Sequence, residues 1–135
     1  MYQYLLNNEM GTLLDFSTPS AAFVSGPRDV PLLSLTLGAL LEEQRELHRE
    51  REAVVFPWQG VRLTYEQLSA RSLIVACSLL AAGLEHGDSV GIMAGNCYQY
   101  VETFLAAGRI GCPVVVLNNT YSPQELLNAI SVSCE

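Results

Sequence analysis

The 135-residue chain is half hydrophobic and only 16% charged, a composition that builds a core and excludes wholesale disorder. Its length suits one ordinary domain. A net charge of −7 argues against a nucleic-acid partner, because phosphate backbones require a basic patch that seven scattered arginines do not make.

Residues 1–33 mix Asn, Ser, Gly and Pro with short apolar pieces and read as a surface lead-in. The first 27 residues carry no Lys or Arg, so neither a secretory signal nor a transit peptide is predicted. The longest apolar run, Leu73 to Leu84, contains Ser78 and is too short to span a bilayer.

Thr36 caps a predicted helix whose apolar positions Leu37, Leu40, Leu41 and Leu47 follow helical spacing. Its other side, with Glu42, Glu43, Arg45, Glu46 and Arg49, is expected to be solvated. AVVFPWQGVRLTY then reads as two short strands joined at Gln59-Gly60. Thr64 and Gln67 form a capping box for a second helix that ends at Gly83.

Beyond Asp88 strands and helices alternate. Ser89 to Ala94 is a short strand, and Asn96 is expected to cap a helix with Val101, Phe104, Leu105 and Gly108 on its inner stripe. PVVVL, residues 113–117, is apolar throughout, the pattern of a strand covered on both faces. Ser122, Pro123 and Glu125 start a last helix, with Leu126, Leu127 and Ile130 on its buried side. The predicted fold class is α/β: a βαβα pattern with a mainly parallel sheet and a small hairpin. Two parallel strands cannot cover these helices, so the subdomain over residues 34–135 is expected to be incomplete, truncated at its C-terminal end.

Gly83, Gly87, Gly91 and Gly95 recur every fourth residue, yet each has its own local reason. These are a helix end, a turn, a close approach within a strand, and a tight strand-to-helix connection. The spacing matches neither dinucleotide nor triphosphate loops. Cys77, Cys97, Cys112 and Cys134 lack metal-ligand spacing and read as buried, inert thiols of a reducing, intracellular compartment.

His48 and His86 read as solvated surface, and the pairs Glu42/Glu43 and Glu50/Glu52 as neighbours in sequence only. Tyr98 and Tyr100 read as packing at the core edge. Asn118 and Asn119 follow a strand at the edge where open α/β sheets bind ligands, but a turn explains them as well. No catalytic, cofactor-binding or metal residue is assigned.

Three blocks carry a resemblance. VRLTYEQL (61–68), GLEHGDSVGIMAGN (83–96) and AAGRIGCPVVVLNNTYSPQEL (106–126) resemble, in order, segments of the acyl-adenylate-forming enzymes. SGPRDVPLLSLTLGALLEE (25–43), with LNNTYSPQEL, is most similar to the medium-chain acyl-CoA ligase branch. Cys112 stands where the family often has Ala.

The resemblance implies an AMP-forming ligase that activates a fatty or related carboxylic acid with ATP and magnesium, then forms a thioester with CoA. It also implies a Ser/Thr/Gly loop with Lys, a Tyr-x-x-Thr-Glu segment, a ribose-binding Asp and a catalytic lysine. No position here matches those motifs, and the sequence has no lysine. The expectation is a fragment that is inactive alone. The alternatives are an interaction or ligand-binding module reusing the half-sheet, with self-association through its open edge, and a regulatory decoy.

Overall fold

The computed structural model describes Gly26, Asp29 and residues 31–133. The chain divides into two units, Met1–Leu33 and Ser34–Glu135. The expected lead-in lies almost wholly outside the described residues, as does Cys134. Every helix and strand among the described residues belongs to the second unit.

Thr36 sets the first boundary. Its hydroxyl accepts the Ala39 amide at 3.2 Å, opening α1 (Leu37–His48). The chain then turns into β1 (Glu52–Phe56), which pairs antiparallel with β2 (Val61–Thr64). Their connection is wider than a two-residue turn. Pro57 lacks an amide for the ladder, so Pro57–Gln59 coil into a 3-10 turn that Gly60 closes at φ 64°.

The capping box of α2 (Tyr65–Ala81) forms as the sequence predicts: Thr64 Oγ1 accepts the Gln67 amide, and Gln67 Oε1 accepts the Thr64 amide. Two further first-turn amides, of Tyr65 and Glu66, donate to the carbonyls of Arg51 and Arg49. An Arg49–Glu66 ion pair reinforces the same junction.

After Gly83 and Gly87, both with positive φ, β3 (Val90–Met93) pairs in parallel with β4 (Val114–Leu117). Between them runs α3 (Tyr98–Ile110), and α4 (Pro123–Ser133) follows β4. The βαβα pattern and the hairpin are present, as two separate two-stranded sheets.

Several faces differ from the sequence reading. Cys97, not Asn96, occupies the cap position of α3 and makes no side-chain capping bond. The buried residues of α3 are Glu102, Ala106 and Ala107, while Phe104 is exposed. Val116 is 63% exposed, so the apolar β4 strand is not covered on both faces. Leu127 and Ile130 of α4 are also exposed. Among the described residues, α4 packs chiefly on β4 and has no second layer to meet. Cys77 is exposed, in contrast to buried Cys112, whose thiol donates to the Glu85 carbonyl at 3.3 Å.

Two small cores result. Val90, Ile92, Ala107 and Cys112 form one, with Leu79, Tyr100 and Val114 against it. Leu41, Leu63 and Leu68 form the other, with Val54, Val101 and Leu105.

A polar junction ties α1, α2 and α3 together beside these cores. Arg109 of α3 donates from Nη2 to Glu42 Oε1 at 2.6 Å and to Ser69 Oγ at 2.8 Å. Its Nε donates to Ser72 Oγ at 3.0 Å, and Ser69 Oγ donates to Glu42 Oε1 at 2.6 Å. Ser72 is fully buried and the Arg109 side chain is only 11% exposed. The face of α1 expected to be solvated therefore carries a half-buried anion, Glu42, held also by Arg45. Gly38 permits the approach, since a Cβ there would lie 3.3 Å from the Arg109 backbone.

The Ser69 hydroxyl, followed by Arg109 and Arg45, pulls the Glu42 carboxyl down from 4.5 to about 2 against the opposing effect of burial. A depressed carboxylate stabilises the fold above its unfolded value and loses that contribution as pH falls through its folded value. The side chain is 40% exposed, so solvent screening reduces the effect to about 1 kcal/mol. Urea unfolding should show Glu42→Gln less stable than the parent by about that amount at pH 7. The gap should close between pH 4.5 and about 2; a gap independent of pH would refute the assignment.

Gly111 ends α3 at φ 74°, with the His86 ring so close that a Cβ would lie 2.3 Å from its Cδ2. His86 is exposed and can swing aside, whereas the backbone conformation is fixed by the Cys112 amide bonding back to Ala107. Gly111→Ala should therefore cost about 1–2 kcal/mol in thermal or urea unfolding. The same cost should persist in a His86→Ala background; rescue there would show that the ring contact dominates.

Candidate functional site

The turn between β1 and β2 meets the segment that runs from β3 into α3, and chemistry-bearing residues gather there. Trp58 Nε1 donates to the Asn96 carbonyl at 3.1 Å. Gln59 Oε1 accepts the Tyr98 amide at 2.9 Å, and Gln59 Nε2 donates to Gln99 Oε1 at 3.1 Å. The cap of α3 thus comes from a side chain some forty residues earlier. That explains why Asn96 is not needed for it.

Phe56 and Trp58 meet edge to face, with centroids 5.4 Å apart. Together with Asn96, Cys97, Tyr100 and Val101 they line an open cleft of about 220 Å³. Trp58 remains 67% exposed although its indole N–H is bonded. This cleft is amphipathic and suited to contact, with no acid–base pair in its lining.

A helix N-terminus attracts anions through free amides, but Gln59 occupies the Tyr98 amide of α3. Asn118 is likewise engaged: its Oδ1 accepts the Thr120 amide at 3.0 Å and the Thr120 hydroxyl at 2.9 Å. Asn118 belongs to a turn, and the Tyr121 amide closes it on the Asn118 carbonyl. Asn119 approaches Gly95, where a Cβ would lie 3.6 Å from its Nδ2. Among the described residues, no group of three His, Cys, Asp or Glu side chains is arranged to hold a metal ion.

The remaining candidates separate. His48 packs on Tyr65 with ring centroids 5.7 Å apart. Tyr98 lies under the Arg71 guanidinium, 5.0 Å from ring centroid to Cζ, and Arg71 also pairs with buried Glu102. Tyr100 packs against a core. The Glu42 carboxylate is held by Ser69, Arg109 and Arg45 rather than paired with Glu43. Glu52 pairs across the hairpin with Arg62, which lowers its carboxyl pKa, and Glu50 has no part in that pair.

A second hollow, of about 370 Å³, lies over the polar junction and is lined by Glu42, Arg45, Glu66, Ser69, Leu73 and Arg109. With a pKa near 2, Glu42 is too weak a base for proton abstraction near neutrality. Glu42, Arg45, Ser69 and Arg109 bind one another. Sequence reasoning missed Arg109, Trp58 and Gln59; the usable signal for Arg109 was a lone cation inside the apolar run AAGRIG.

Comparison with known proteins follows the same line. A family model described as AMP-binding enzyme matches residues 41–134. An acyl-CoA ligase of Penicillium expansum is 50% identical over 109 residues, 81% of this chain and 23% of that protein. A mitochondrial medium-chain acyl-CoA ligase of Danio rerio is 34% identical over 118 residues, 87% of this chain and 20% of its own length. A fatty acyl CoA synthetase of Mycobacterium tuberculosis superposes with a TM-score of 0.69 at 27% identity, covering 71% of this chain and 19% of that one. The chain spans about a fifth of the length of the curated relatives it matches. Its helices, its two strand pairs and more than half of its sequence therefore belong to the AMP-binding enzyme family, whose matched segment it represents.

Proposed function

We propose that this chain is a scaffold segment of an AMP-forming acyl-CoA ligase. In that reading the complete enzyme activates a fatty or related carboxylic acid as its acyl-adenylate, using ATP and magnesium, and passes the acyl group to CoA. The 50% identity to an acyl-CoA ligase over 109 residues carries the proposal.

The segment's own contribution is mechanical. Its hairpin turn pins the start of α3 through Trp58 and Gln59, and its Arg109 junction fixes three helices. Acid activation, in which the carboxylate attacks the α-phosphorus and pyrophosphate leaves, demands cations and backbone amides aimed at the phosphates. This chain has no lysine, and Gln59 takes the Tyr98 amide of α3. We assign no step through ATP, magnesium or CoA to its residues, and the chain alone is expected to be inactive.

Two preparations test this. The purified chain should give no acid-dependent ATP–pyrophosphate exchange above a heat-treated control. Residues 41–134 placed into the Penicillium expansum ligase in place of its matched stretch should retain thioester formation within about tenfold of the parent. Exchange by the chain alone, or a folded but inactive chimera, would contradict the reading.

A further inference from the structure

We draw no further inference here: the strongest candidate, the open cleft between the hairpin turn and the start of α3 with Phe56 and Trp58 on its wall, belongs to the site already described, and nothing in the structure shows what covers its exposed aromatic face.

Discussion

One guanidinium organises this molecule. Arg109 extends from α3 between two other helices, where it meets the Glu42 carboxylate, the Ser69 hydroxyl and carbonyl, and the Ser72 hydroxyl. Burying a charge is costly unless it is paired and hydrogen-bonded, and here both conditions are met. The apolar cores on either side are small. Non-directional packing alone would leave the azimuth of α1 weakly defined, whereas a forked cation with fixed donors specifies it. Gly38 then has a clear purpose, which is to let the α1 and α3 backbones come close enough for that fork to reach.

The same economy recurs at the carboxyl edge of the parallel strands. Gln59 caps α3 from the hairpin, and Trp58 holds the Asn96 carbonyl beside it. A helix N-terminus at this place in an α/β fold is where an anion might be expected. The neutral amide of Gln59 already occupies it. Gln59 and Trp58 thus hold the start of α3 against the hairpin.

Local sequence signals located the elements well. Thr36, the Thr64–Gln67 box and the Ser122–Glu125 pair each form the bonds that their spacing predicts. These signals act within a single turn, so no tertiary information is needed to read them. Faces were harder to read. Glu42 belongs to an acidic cluster, and partners far along the chain, Ser69 and Arg109, make it half-buried. Asn96 looks like a cap until Gln59 arrives from another element. Leu127 and Ile130 are spaced to be buried, but the described residues offer them nothing to pack against. Periodicity shows which side of a helix is apolar, and contacts far apart in sequence decide whether that side is covered.

The role given to Arg109 depends on its coupling to Glu42, which a double-mutant cycle isolates from the individual losses. Urea unfolding at pH 7 of the parent, Glu42→Gln, Arg109→Gln and the double variant supplies the four free energies. The account predicts a coupling of about 1 kcal/mol, with Glu42→Gln costing little once Arg109 is replaced. Additivity within about 0.3 kcal/mol would contradict it and return the fixing of the three helices to the apolar cores.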